Sequence, residues 1–293
     1  MKIGLIDVDS HNFPNLALMK LSTHHKKLDD EVEWWNGFVC YDRVYMSKVF
    51  DDTYTSDIDT CINADEIIKG GTGYDLVNKL PHEVEHTYPD YSLYGITDTA
   101  YGFLTRGCPR GCGFCIVAEK EGRKSVQVAE LGEFWNGQKN IILLDPNLTA
   151  CKDSEKLFND LIKTKVDIEF NQGLDIRCMT DKNAEQLNQL KLKILHFAWD
   201  NYEFQTYEKL KYFRPKLNYD GRKLRVYVLT NFNTTHEQDL ERIYKLREMD
   251  YDPYVMIFDK PHAPKQTKQM ARWVNNKFIW RSCERFEDYG KER

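Results

Sequence analysis

The sequence predicts an α/β protein in two parts: a small Rossmann-like α/β domain over residues 1–80, then a partial (β/α)6 TIM-like barrel over residues 99–260. Three observations predict it. Short apolar runs alternate with amphipathic stretches from Lys2 onward. The alternation restarts near Tyr101 with a repeat of about 25–35 residues, the size of a β-α unit. The six units that follow are too few to close an eight-stranded barrel and suit an open one.

In the first part, Lys2–Val8 reads as a strand. Asn15–Leu28 reads as a helix, with Leu16, Met19, Leu21 and Leu28 on a helical period after the turn residues Asn12 and Pro14. Strand-like runs follow at Glu31–Trp35, Arg43–Val49 and Glu66–Lys69, the last ending in Gly70-Gly71. Residues 81–98 read as a linker. In the second part the expected strands are Tyr101–Arg106, Asn140–Leu144, Ile168–Phe170 running on toward Gly173–Arg177, Ile194–Ala198, Arg225–Leu229 and Tyr254–Phe258. The expected helices are Gln127–Trp135, Ser154–Thr164, Lys182–Gln189, Tyr202–Phe213 and His236–Met249, and residues 261–293 form a helical extension.

Hydrophobic residues make up 41% and charged residues 30%, which excludes a disordered or low-complexity chain. There is no apolar run long enough for a transmembrane helix and no signal-peptide pattern, so a cytoplasmic location without membrane association is expected. The net charge of −5 is uneven: residues 1–100 sum to −10, residues 101–181 to −1 and residues 182–293 to +6. A basic final third suits a polyanionic partner or contact with the acidic third, and it equally suits an ordinary solvated surface.

Five of the eight cysteines are scattered, but Cys108, Cys112 and Cys115 fall within eight residues as C-x3-C-x2-C. They follow a strand directly, in a loop rich in Gly and Pro. Three thiolates around a small space can bind a metal centre and leave one position open, which favours a [4Fe-4S] cluster with one free iron. Structural zinc needs a fourth ligand, which would have to come from Cys151 or His196. A thioredoxin-like disulfide does not fit, because the pair does not open a helix.

This motif, with Phe114 before the last cysteine and a β/α series around it, resembles the signature of the radical S-adenosylmethionine (SAM) superfamily. The resemblance implies that SAM chelates the free iron, that one electron cleaves it, and that the resulting 5′-deoxyadenosyl radical abstracts a hydrogen from a substrate. It implies a reductant such as flavodoxin or ferredoxin, and Phe114 near the adenine. The superfamily's usual Gly-Gly-Glu after the second strand is replaced by Asp145-Pro146-Asn147, which resembles acidic replacements in branches related to methylthiotransferases and cobalamin-associated members. Asp145 and Asn147 are therefore SAM-contact candidates, with helix or turn capping as the alternative for Asp145. Residues 171–177 end the expected third strand with alternating polar side chains, which makes Gln172, Asp175 and Arg177 candidates for the barrel mouth. Asp200, Asn201, Thr230 and Asn231 follow other strand ends and rank lower, and His196 reads as a core histidine.

The first domain resembles the flavodoxin- and cobalamin-binding-like fold. The family motif D-x-H-x-x-G, S-x-L, G-G is met by Asp9-Ser10-His11, Ser47-Lys48-Val49 and Gly70-Gly71, with Pro14 and Val49 as departures. His11 would be the axial ligand. The departures weigh against bound cobalamin and favour a scaffold or substrate-binding role. Methylthiotransferases carry a further cluster on three cysteines here, and this region offers only Cys40 and Cys61. Only about 35 residues follow the last expected strand, so an appended RNA-binding domain is not expected. The substrate is left open as small molecule, peptide or nucleic acid. Two alternatives stand beside an enzyme: a non-catalytic iron–sulfur electron-transfer protein and a zinc-binding interaction module.

Overall fold

The computed structural model describes residues 1–10, 13–58 and 61–289. The chain divides into two compact units. The first is Met1–Gly102 with 129–139, and the second is 103–128 with 140–293.

The first unit is a parallel sheet in the order β2-β1-β3-β4, formed by β1 (Lys2–Asp7), β2 (Glu31–Trp34), β3 (Tyr41–Ser47) and β4 (Ala64–Gly70). Helix α1 (Leu16–Lys27) starts where Asn15 accepts a hydrogen bond from the Leu18 N–H, and four basic residues close its last turn. Its Leu18 and Leu21 bury against Ile3 and Leu5 of β1. Ile6, Tyr41, Val44 and Met46 form the core on the opposite face. The segment expected as a linker belongs to this unit: it contains the short helix α2 (His82–Glu85), and Val84 buries beside Ile3 and Leu18. Strand β5 (Thr99–Gly102) ends the unit's main segment. The helix expected over Gln127–Trp135 is absent; only a 3-10 turn forms at Leu131–Glu133. Phe134 packs so tightly on Gly102 that an added Cβ there would meet its ring at 2.3 Å.

The second unit opens with a two-stranded antiparallel ribbon, β6 (Thr105–Arg106) and β7 (Val126–Gln127), with the short helix α3 (Val117–Lys120) between them. The strand expected over Tyr101–Arg106 is thus two short ones. Two separate parallel arrangements follow. β8 (Asn140–Leu143), β9 (Asp167–Phe170) and β10 (Lys191–Leu192) pair in the order β10-β9-β8, and β11 (Leu195–Ala198), β12 (Leu224–Thr230) and β13 (Asp252–Ile257) pair in sequence order. Between them run α4 (Ser154–Thr164), α5 (Asp181–Leu187), α6 (Phe204–Phe213) and α7 (His236–Glu248). Capping boxes on Thr180 and Thr235 start α5 and α7.

The two arrangements meet where the Leu174 N–H donates to the His196 carbonyl at 2.8 Å. The C-terminal helices α8 (Lys265–Asn275) and α9 (Lys277–Ser282) bury Met270, Trp273, Val274 and Trp280 against Ile243 and Val255. Arg242, fully buried, gathers strand-end carbonyls: it donates to Trp199, Asp200 and Leu229 and pairs with Asp239. Among the described residues no helix is long and apolar enough to cross a membrane.

Candidate metal centre

The cysteines lie on the loop between β6 and β7, whose pairing closes its base. Gly107 turns the chain out of β6 at φ +86°, so close to the returning strand that a Cβ would meet the Lys124 carbonyl oxygen at 2.2 Å. Only glycine tolerates both demands. The Cys108 N–H donates to the Gly122 carbonyl, and Glu121 ties the exit together by accepting from the Gly107 N–H and from Arg106. Cys115 donates its N–H to the Cys112 carbonyl. All three cysteines are free thiols; Cys108 and Cys112 are half-buried and Cys115 is exposed. Burial pushes the Cys112 thiol up, against the pull of Arg177.

Among the described residues no three His, Cys, Asp or Glu side chains converge closely enough to share one ion. A structural zinc site takes four ligands on one ion, and a cubane cluster takes each thiolate on a different iron. Cys151 is buried beside a 3-10 turn, and His196 stacks on Tyr227 at 5.1 Å.

Around this loop the candidate side chains separate into two kinds. Asp145, at the end of β8, is 4% exposed and accepts from the Leu104 and Thr105 N–H groups and from the Thr105 hydroxyl. Both its oxygens are engaged in fastening β6 to the end of β8. Burial raises its pKa to about 6, against these hydrogen bonds. Asn147 is also buried. Its Oδ1 caps the turn Leu148–Ala150, while its Nδ2 donates to Cys108 Sγ and to Asp175 Oδ2, both at 3.3 Å.

Asp175 is the hub. Its carboxylate receives the Arg177 N–H and guanidinium, the Arg110 Nε at 2.8 Å, and Asn147. Burial opposes ionisation, yet Arg177 and then Arg110 hold the carboxyl below its usual range. Arg177 also pairs with Glu203 at 2.6 Å. Burial works against its charge, but Asp175 and Glu203 raise its pKa.

The reason for this meeting differs from the alternation expected. β9 stops at Phe170, Gly173 turns at φ +77°, and Asp175 caps a 3-10 turn over Ile176–Cys178. Asp175 and Arg177 meet through that turn, not by pointing from one face of a strand. Gln172 is left exposed in the turn after β9. Phe114 lies edge-on to Phe232 at 5.5 Å, and Phe232 in turn to Phe258 at 5.0 Å.

Of the lower-ranked candidates, Thr230 is buried and donates to the Met256 carbonyl, and Asn231 donates to the Phe258 carbonyl. Asp200 is buried enough to raise its pKa to about 6, opposed by Arg242 and Arg177. The sequence reading missed Arg110, Glu203, Cys178 and Phe232. The only available signal for Arg110 was a charge set inside the cysteine motif. Cys178 Sγ sits 3.4 Å from Arg110 Nη2.

In the first unit, the motif positions come together at the C-terminal ends of the strands. The Asp9 carboxylate accepts from the Val49 and Phe50 N–H groups at 2.7 and 2.8 Å. Ser47 accepts from Asn15, and the Lys48 N–H donates to the Gly70 carbonyl. His11, the expected axial ligand, lies outside the described residues.

No family model matches the chain. A CDK5RAP1-like protein of Oryza sativa subsp. japonica is 32% identical over 123 residues, 38% of this chain and 20% of that protein. The chain therefore spans about a fifth of the length of that relative. Two solved structures of TsrM from Kitasatospora setae, a radical SAM methyltransferase, are similar in fold. One, with cobalamin and a [4Fe-4S] cluster bound, has a TM-score of 0.64 at 11% identity over 87% of this chain and 74% of that chain. The other, with tryptophan substrate and a SAM analogue bound, has a TM-score of 0.64 at 10% identity over 87% of this chain and 72% of that chain.

The fold is the mixed α/β architecture with parallel sheets of these radical SAM proteins. The resemblance carried by the cysteine motif and the likeness in fold agree. The expectation against cobalamin draws no support from these neighbours, one of which holds it.

Proposed function

We propose that the chain is a radical SAM enzyme built on a partial (β/α)6 barrel, with Cys108, Cys112 and Cys115 as ligands of a [4Fe-4S] cluster. The carrying observation is the loop itself: three free thiols between β6 and β7, beside a buried Asn147 and the half-buried Asp175 and Arg177. When bound, the cluster supplies the electron that cleaves SAM reductively.

The chain's own residues supply positioning. Asn147 bridges Cys108 to Asp175, tying the loop to the polar group. Asp175 holds Arg177 by two bonds and Arg110 through its Nε, and a planar guanidinium is suited to a carboxylate such as the methionyl group. Phe114 and Phe232 offer an apolar edge that excludes water. Asp145 and Gln172 stay in the proposed contact set, Asp145 through the backbone it fixes. Hydrogen abstraction is the proposed reaction, on a substrate that the site does not name.

Anaerobic reconstitution tests this reading: about four irons per chain are expected, with dithionite-dependent formation of 5′-deoxyadenosine from SAM. Iron retained with SAM left intact would favour the electron-transfer alternative, and zinc without iron the interaction module.

A second reading, methyl transfer assisted by cobalamin in a Rossmann-like first domain, is favoured by one observation. Asp9, Ser47 and Gly70 meet at the strand ends of the first unit. A corrinoid absorbance that survives gel filtration would support it, and its loss on desalting would remove it.

A further inference from the structure

The strongest feature outside the cysteine site is electrostatic. Residues 265–283 contain five cations and no carboxylate, in a chain whose net charge is −5. The structure shows how they are displayed. Lys265, Lys268 and Arg272 are exposed and stand at i, i+3 and i+7 of α8, one ridge about 10 Å long. Arg281 of α9 is exposed, and Phe278, three residues before it, is 85% exposed.

Nearby, Arg225 and Lys277 share a single carboxylate, Asp252. Burial holds Lys277 below its usual pKa, opposed by Asp252 and aided to a lesser degree by Arg225 and Arg281. Glu237 and Glu287 line the same cavity as Lys265. The opposite side of α8, with Met270, Ala271, Trp273 and Val274, is buried in the core. No apolar helix face is left to lie in a lipid surface, as an interfacial helix requires.

We infer that the exposed side of α8 and α9 is a docking surface for the phosphodiester backbone of a single-stranded nucleic acid, with Phe278 as a platform on which a base stacks. Charge complementarity carries the first half of the inference. The bare aromatic ring set beside Arg281 carries the second, because stacked bases and cations in alternation are what a single strand offers and accepts. The inference lies outside the cysteine site and does not depend on SAM chemistry.

The test is fluorescence anisotropy of the full, reconstituted chain with a labelled oligouridine, titrated at several salt concentrations. Wild type should bind, with log K against log salt falling at a slope of about −3 for four phosphate contacts. Lys265→Glu/Lys268→Glu/Arg272→Glu should lower affinity at least about tenfold at low salt and flatten the slope by about 2. Phe278→Ala should weaken binding about tenfold and leave the slope unchanged. All four side chains are exposed, so an unchanged thermal melt and iron content confirm the fold of each variant.

The inference is overturned by wild type that does not bind, or by a triple variant that binds as wild type does. It is overturned equally by anionic vesicles binding in place of the oligonucleotide. A triple variant that fails while Phe278→Ala binds normally would make the surface a docking site for any polyanion, such as an acidic protein, and would end the assignment to nucleic acid.

Discussion

The two units solve the same structural problem in opposite ways at the C-terminal ends of their strands. In the first, the charges are absorbed by the fold. Asp9 spends both oxygens on backbone N–H groups, and Lys48, fully buried, reaches Asp52 beneath the ring of Tyr74. In the second, Asp145 is absorbed in the same manner, yet a step away Asp175, Arg177 and Arg110 stay partly accessible beside three free thiols. A strand-end carboxylate is a fastener when backbone donors saturate it and an instrument when side chains share it. That distinction separates Asp9 and Asp145 from Asp175.

Substitutions sharpen the contrast. The largest effect is expected from Cys112→Ala, which should abolish the brown chromophore and SAM cleavage together; full iron content in that variant would break the ligand assignment. Asp175→Asn leaves two guanidinium groups without their shared anion. It should reduce stability by about 3 kcal/mol in urea titration and impair SAM cleavage as well. Asp9→Asn should lower stability by about 1–3 kcal/mol and leave iron content and SAM cleavage per folded molecule unchanged, because the Asp9 carboxylate is engaged by the Val49 and Phe50 N–H groups.

Asp145 adds a pH signature. Its folded pKa, about 6, lies above its unfolded value of 3.8, so the folded state holds the extra proton between them. Its contribution to stability is full below pH 4 and is lost as pH rises through 6, roughly 3 kcal/mol in all. The melting difference between wild type and Asp145→Asn should therefore drift against wild type across that window; a flat difference would show the carboxylate fully compensated by its three donors. The smallest effect is expected from Phe232→Ala, a several-fold rise in the KM for SAM with little change in melting, since the ring is 37% exposed and meets Phe114 by its edge.

The cysteine trio was legible because its chemistry is written in spacing over eight adjacent residues. Most elements were legible for a similar reason: a local period sets α4 at Ser154–Thr164 and β12 within a residue or two of expectation. Residues 171–177 misled because their polar–apolar alternation mimics a strand. A left-handed glycine and an Asp-capped turn produce the same pattern with a different geometry. Asp145 was recognised as a strand-end acid, but its partner Thr105 is 40 residues away, and no local pattern reports such a pairing. Arg110 was passed over because a charge in a loop ordinarily faces solvent. The allocation of 129–139 to the first unit depends on Phe134 meeting Gly102 and Tyr91, contacts that no periodicity encodes.

The most direct test of the central claim is electron paramagnetic resonance of the reduced, reconstituted protein before and after SAM is added. A three-thiolate cluster with an open iron predicts a [4Fe-4S]+ signal that changes shape when SAM binds and disappears in Cys112→Ala. A signal indifferent to SAM, or a protein that takes up zinc and gives no signal, would contradict it.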